Sequence, residues 1–139
     1  MGLAYSVFGY DSYRLPEIVT RKEMDKSKTD LCTVRCDQLE EIGISSAEQA
    51  STYALFLAGR ARAYQEALEE MKQKKVKVYL TCSDARFRSA AVATVWLVWK
   101  HGYSIDSAAN NYKGNNPLSL YKSAIALAVT ILQEDLQLP

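Results

Sequence analysis

The segment Val78–Ser89 constrains the fold of this 139-residue chain more than any other, because an apolar, strand-like run leads through a short loop into an apolar helix. The run ends at Cys82, and five residues separate Cys82 from Arg88 and Ser89. Ala90 to Trp99 contains no charged residue, so a helix there would be apolar around its circumference and therefore buried. The sequence predicts an α/β domain in which a strand and a buried helix meet at Cys82.

The loop after Cys82 has the composition of an anion-binding site. A turn from strand to helix directs backbone N–H groups and the positive helix N-terminus into one concavity, which attracts phosphate. The same field favours the thiolate of Cys82, which is the nucleophilic form. The planar guanidinium of Arg88 would hold two phosphate oxygens, and Ser89 would donate a hydrogen bond to the thiolate. The predicted phosphate-binding residues are Ser83, Asp84, Ala85, Arg86, Phe87 and Arg88.

Cys82-x5-Arg88-Ser89 between a strand and a helix resembles the phosphate-binding loop of the cysteine-dependent protein tyrosine phosphatases, most closely the small dual-specificity branch. The run Gly102-Tyr103-Ser104 after the apolar helix is also similar to that family, and Cys82-Ser83-Asp84 resembles the loop of the myotubularin lipid phosphatases. The resemblance implies a short central, mainly parallel sheet flanked by helices. It also implies hydrolysis of phosphomonoesters through a cysteinyl-phosphate, with no metal or organic cofactor.

The resemblance also implies substrates and a general acid. Phosphotyrosine, phosphoserine or phosphothreonine proteins are the expected substrates, and a phosphoinositide is the alternative. Asp37, after the strand-like stretch Asp30–Cys36, is the candidate acid that protonates the leaving oxygen. Glu40 and Glu41 are alternatives in the same stretch, and a solvated loop would explain all three acids equally well.

Two other functional classes remain open from the sequence. The family usually has His before the nucleophile and Gly three residues after it, whereas this chain has Thr81 and Ala85. A phosphate-binding pseudophosphatase without turnover would explain both departures. A rhodanese-like sulfurtransferase or an arsenate reductase also places a cysteine in an anion loop, although Gly102-Tyr103-Ser104 favours the phosphatase pattern.

Composition and net charge indicate the cellular compartment and the classes of partner. Residues 1–139 are expected to form one domain, and a formal net charge of +1 provides no general attraction for nucleic acid. Three cysteines, an odd number, favour a reducing compartment and therefore the cytoplasm. Cys32 and Cys36 are interpreted as small buried residues rather than as a zinc half-site. No apolar run is long enough to predict a membrane span, and nothing in the sequence indicates an oligomeric state.

The remaining sequence patterns predict two helices that belong to the structural scaffold rather than to the site. Ser45 to Glu48 matches a capping box, and a long amphipathic helix should follow it. Its apolar face is predicted to consist of Ala50, Tyr53, Leu57, Ala61, Tyr64, Leu68 and Met71. A last helix is predicted over Leu118–Leu136, with Leu120, Ala124, Leu127, Ile131 and Leu132 towards the core.

Shorter signals mark the ends of elements. Gly102 is predicted to cap the apolar helix, with His101 as a surface or capping residue, and Ser104 is predicted to begin the next helix. Ala4–Tyr10 alternates as a strand does, and Leu15–Val19 is a candidate edge strand.

Overall fold

The computed structural model describes residues 13–20, 32–35, 47–74, 76–82, 87–112 and 118–137. The described residues contain three strands, which are β1 Glu17–Thr20, β2 Cys32–Arg35 and β3 Val78–Cys82. Their helices are α1 Ala47–Met71, α2 Phe87–His101, α3 Ile105–Ala109 and α4 Leu118–Gln137, with a 3-10 turn over Asn110–Tyr112 between α3 and α4.

The three strands form one parallel sheet in the order β1-β3-β2. The predicted edge strand in Leu15–Val19 is confirmed as β1, which occupies one edge. Parallel neighbours need a crossover connection, and α1 provides the one between β2 and β3. Val78 and Leu80 of the middle strand are buried, as the apolar run before Cys82 predicted. The predicted strand Ala4–Tyr10 lies outside the described residues.

Helix α1 buries the face that its apolar spacing predicted. Tyr53, Leu57, Ala61 and Tyr64 are at most 2% exposed, while Leu68 and Met71 are partly buried against the same core. The face contacts α2, α4 and the strands β2 and β3. Its capping-box residues Ser45 and Ser46 lie outside the described residues.

Helix α2 is the buried central helix. Every residue from Arg88 to Leu97 is buried, which agrees with a segment that carries no charge after Arg88. The helix contacts α1, α4 and β3, so it touches the other main helices and the middle strand. The helix therefore packs against the strand that ends at Cys82.

The predicted helix ends are also confirmed. Gly102 follows the last residue of α2 with φ +69°, a left-handed conformation that glycine adopts without a side-chain clash. Ser104 precedes α3 in an extended conformation, and its hydroxyl oxygen accepts a hydrogen bond from the Ser107 N–H at 3.1 Å. The two signals together set the sharp turn between α2 and α3.

Helix α4 completes the core. Ala124 and Leu132 are fully buried and Leu127 and Ile131 are partly buried, as predicted. Ile125, Ala128 and Val129 are buried as well, so the buried face is wider than the predicted stripe. The described residues therefore form an α/β fold with a small parallel sheet, and a central sheet flanked by helices stays a prediction. None of the described helices is long and apolar enough to cross a membrane.

Candidate active site

Cys82 ends the middle strand of the sheet at its carboxyl edge. Its register partner on β1 is Thr20, the last residue of that strand, and Arg35 at the end of β2 pairs with Thr81. All three parallel strands therefore end within one or two residues of one another. Ligands of open α/β sheets bind outside this edge, so the backbone of Cys82 lies where such a site is expected.

Arg88 and Ser89 lie in the first turn of α2, on the other side of the loop from Cys82. Arg88 is only 8% exposed and Ser89 is fully buried. Arginine is rarely buried in proteins unless it has a specific partner, so its burial at a helix N-terminus is unusual. The strand that ends at Cys82 and the helix that begins with a buried arginine in its first turn are thus separated by residues 83–86 alone.

Two buried hydroxyl groups flank the same loop. Thr81, immediately before Cys82, is 3% exposed, and Ser89 is 0% exposed. Within the described part of the chain, neither Thr81 Oγ1 nor Ser89 Oγ makes a hydrogen bond. Buried hydroxyls normally have a partner, so these two are candidates for contacts with the loop or with what it binds.

The electrostatics of the helix start favour an anion. The first turn of α2, Phe87–Ala90, contains no acidic residue that would compete for its free N–H groups. The helix dipole adds partial positive charge at this end, and the Arg88 guanidinium adds a full charge. The last turn carries Lys100 and His101, which suit the opposite, negative end of the dipole. The arrangement can therefore bind a negatively charged group at the loop.

Several residues predicted from the sequence lie outside the described residues. They include most of the loop and the acid candidates, namely Ser83, Asp84, Ala85, Arg86, Asp37, Glu40 and Glu41. The backbone of Phe87 begins α2. The chain leaves β2 towards Asp37 at Arg35, beside Thr81 and so one residue from the position of Cys82 along the sheet edge.

Thr20 is a neighbour of Cys82 that no sequence pattern indicated. It is the register partner of Cys82 across the β1–β3 pair. Strand pairing between distant segments leaves no local signal, so only the topology reveals this contact. Among the described residues, no three His, Cys, Asp or Glu side chains are grouped as metal ligands would be.

Comparison with known proteins gives one structural likeness. The crystal structure of a mutant form of Tk-PTP, a protein tyrosine phosphatase, matches 92% of this chain and 97% of its own with a TM-score of 0.51 and 16% sequence identity. No protein-family model matches the chain, and no curated protein matches it significantly. The likeness, together with the strand, loop and helix around Cys82, supports a protein tyrosine phosphatase-like fold.

Proposed function

We propose that the chain is a cysteine-dependent phosphatase that hydrolyses phosphomonoesters of tyrosine, serine or threonine in proteins. The single observation that carries the proposal is the burial of Arg88 in the first turn of the helix that follows Cys82. A buried guanidinium beside a helix N-terminus is suited to a dianionic phosphate, which it can hold through two parallel hydrogen bonds. The phosphatase-like fold agrees with this chemistry.

The proposed reaction has two steps. The Cys82 thiolate attacks phosphorus, so an S–P bond forms while the bond from phosphorus to the ester oxygen breaks. Arg88 and the loop N–H groups stabilise the equatorial oxygens while charge is redistributed. Water then attacks the cysteinyl-phosphate, which releases inorganic phosphate and restores the thiolate. Ser89 acts in this second step as a hydrogen-bond donor to the departing sulfur.

Asp37 is the proposed general acid. It protonates the leaving oxygen in the first step and accepts a proton from water in the second. The end of β2 at Arg35, paired with Thr81, supports this role because this strand, which ends two residues before Asp37 in the sequence, ends at the edge where Cys82 lies. An Asp37→Asn variant should therefore lose more activity on alkyl phosphates, whose leaving group needs a proton, than on aryl phosphates with acidic leaving groups.

Thr81 favours a second candidate function, a phosphate-binding pseudophosphatase. The buried position before the nucleophile carries a small hydroxyl side chain, where the family that the loop resembles has an imidazole. The phosphate cradle would remain under this alternative, since it depends on Arg88 and the loop backbone. Binding without hydrolysis would distinguish this function from the first.

The test is turnover of an aryl phosphate by the purified, reduced protein from pH 5 to 8. We expect Cys82→Ser to abolish turnover and Arg88→Lys, which keeps the charge but loses the planar fork, to lower kcat by about 10²- to 10³-fold. Cys32→Ser is the matched control, because Cys32 pairs with Val78 at the opposite end of the sheet. It should leave turnover unchanged.

The same preparation separates the alternatives. Phosphopeptides and a phosphoinositide, tested in parallel, show which class of monoester is hydrolysed. Absence of turnover with phosphopeptide binding that depends on Arg88 would identify the pseudophosphatase. Sulfur transfer from thiosulfate to cyanide would instead identify the sulfurtransferase, and arsenate reduction the reductase.

A further inference from the structure

A cavity of about 560 Å³ opens at the amino edge of the sheet, away from Cys82. Its lining includes Glu17 and Val78, which are the first residues of β1 and β3. Since a strand rises about 3.3 Å per residue, roughly 13 Å of β3 separates Val78 from Cys82. The cavity therefore belongs to the other end of the sheet and has no part in the proposed phosphatase reaction.

The floor of the cavity consists of two aromatic side chains whose positions are fixed by their contacts. Tyr64 of α1 and Trp96 of α2 meet edge to face with ring centroids 5.2 Å apart. Trp96 Nε1 also donates a hydrogen bond to Gln65 Oε1 at 2.9 Å, which fixes the indole. Burial, with the Glu17 carboxylate nearby, raises the pKa of Tyr64, so its hydroxyl stays protonated. The floor is thus preformed rather than assembled around a ligand.

The walls of the cavity are apolar and reach the solvent. Leu15 is 42% exposed, and Leu68, Met71 and Val76 are only partly buried. Water beside these side chains would be displaced by an apolar ligand, which makes binding favourable. A volume of about 560 Å³ is also within the range of about 300–1,000 Å³ that is typical of small-molecule sites.

The rim of the cavity is positively charged. Arg14, Lys72 and Lys77 are exposed cations on it, and Glu17 is the one acid among the described lining residues. Lys77 Nζ lies 3.9 Å from Glu17 Oε1, and both side chains are about half exposed, so this ion pair is weak. An anion at the rim would therefore meet an excess of positive charge.

We propose that this cavity binds a small molecule with an aromatic body and one anionic group. The aromatic body lies against Leu68 and Met71 above the floor, and the anionic group lies beside Lys72 and Lys77. The apolar walls favour binding of the aromatic body, and the excess of cations at the rim favours binding of the anionic group.

The test uses two fluorescent probes with nearly the same aromatic body. The first, 1-anilinonaphthalene-8-sulfonate, carries one sulfonate, and the second, N-phenyl-1-naphthylamine, is neutral. Each probe is titrated into the folded, full-length protein, and the stoichiometry is determined with energy transfer from the tryptophans as a second readout. We expect the sulfonate to saturate a single site and to bind more tightly than the neutral probe.

Charge variants locate the anionic group. Lys72→Gln and Lys77→Gln should each weaken sulfonate binding by about two- to fivefold, the range of an exposed ion pair, and should leave the neutral probe unchanged. Lys74→Gln is the matched control, because Lys74 is exposed in the turn after α1 and is not among the cavity-lining residues. It should change neither affinity.

Filling variants and a competitor locate the aromatic body. Leu68→Trp should reduce binding of both probes by about tenfold or more because the new ring occupies the cavity. Met71→Trp serves the same purpose if Leu68→Trp does not fold. Cys82→Ser should have no effect on the sulfonate titration, and any displacement by inorganic phosphate should weaken in Lys72→Gln and Lys77→Gln, which separates this cavity from the loop.

Other outcomes overturn the proposal. Non-saturable binding, equal affinity for the two probes, or insensitivity to both filling variants would show that the cavity is not a site for an aromatic anion. Displacement of the sulfonate by inorganic phosphate, with an affinity that Lys72→Gln and Lys77→Gln leave unchanged, would place the probe at the Cys82 loop instead. None of these outcomes depends on whether the protein hydrolyses phosphate esters.

Discussion

The ring of Tyr13 stacks on the imidazole of His101, with ring centroids 3.6 Å apart and an interplanar angle of 16°. Tyr13 precedes β1 and His101 is the last residue of α2. This contact therefore packs the segment before β1 against the C-terminus of the central helix. The indole of Trp96 makes an edge-on contact with the same imidazole, with ring centroids 4.7 Å apart. His101, predicted from the sequence to be a surface or capping residue, is therefore partly enclosed by aromatic rings.

This enclosure predicts a pH-dependent stability. Burial, and then the neighbouring charge of Lys100, lowers the pKa of His101 below its ordinary value of 6.5. Between the lowered pKa and 6.5 the unfolded chain binds more protons than the folded one, so the free energy of unfolding decreases as pH falls through this interval. The contribution of His101 is fully present above about pH 6.5.

We expect His101→Phe, which retains an aromatic ring but cannot titrate, to remove this part of the pH dependence. The measurement is the urea midpoint of both proteins between pH 5 and 8. The wild-type midpoint should fall more steeply towards acid than that of His101→Phe. Parallel pH profiles would contradict the prediction.

Substitution of alanine for each of two glycines should change the free energy of unfolding in opposite directions. Gly102 has φ +69°, and a Cβ added there would meet nothing within 4 Å, so the cost of alanine comes from the backbone alone. We expect Gly102→Ala to destabilise by about 1 kcal/mol, as an alanine in the left-handed region does. Gly59 lies inside α1, also with open space around its Cβ position, and Gly59→Ala should stabilise by about 0.5–1 kcal/mol. Chemical denaturation of both variants checks the pair.

Leu57 and Leu55 form a matched pair for the core. Leu57 is fully buried in α1, whereas Leu55, two residues earlier, is 64% exposed. Leu57→Ala removes packed methyl groups and leaves a cavity, so we expect a loss of about 2–5 kcal/mol. Leu55→Ala should change the free energy of unfolding by no more than about 0.5 kcal/mol. Similar losses at the two positions would contradict the assigned burial of the helix face.

The sequence predicted the helical part of the fold well, because helix signals are local. The apolar spacing from Tyr53 to Tyr64 depends only on the helical period, and the caps at Gly102 and Ser104 depend on a few adjacent residues. The absence of charge in Ala90–Trp99 similarly requires burial wherever the helix lies. Each of these features is confirmed by the structure.

Contacts between distant segments could not be predicted in the same way. The pairing of Thr20 with Cys82, the middle position of β3 and the stacking of Tyr13 on His101 depend on how segments far apart in the chain assemble. Trp96 illustrates the difference, since the uncharged segment Ala90–Trp99 predicts only that it is buried. Its indole is buried and also lines a cavity, but at the edge of the sheet away from Cys82.

Part of the candidate site could be predicted from the sequence, and part is known only from the fold. The motif alone indicated Cys82, Arg88 and Ser89, and the fold adds the burial of Arg88 and the position of Cys82 at the carboxyl edge. The phosphate-binding roles of the intervening loop residues and the acid role of Asp37 stay predictions, since those residues lie outside the described ranges.

Ser89 allows the two proposed chemical steps to be separated. Its hydroxyl is fully buried and, among the described residues, has no hydrogen-bond partner. If it donates to the sulfur that leaves in the second step, Ser89→Ala should slow hydrolysis of the cysteinyl-phosphate. We expect kcat to fall by about ten- to a hundredfold, because a hydrogen bond to a charged group contributes about 1.5–3 kcal/mol.

The first step should remain nearly as fast in Ser89→Ala, so rapid-quench kinetics with an aryl phosphate should show a burst of phenol release followed by slow turnover. Mass spectrometry should find the phosphorylated Cys82 peptide accumulating during that slow phase. Thr94→Val is the matched control, because the Thr94 hydroxyl is also buried in α2 but donates to the Ala90 carbonyl at 2.8 Å. It should leave both phases unchanged, whereas an equal loss of burst rate and turnover in Ser89→Ala would mean that Ser89 acts on the attack by Cys82 rather than on its release.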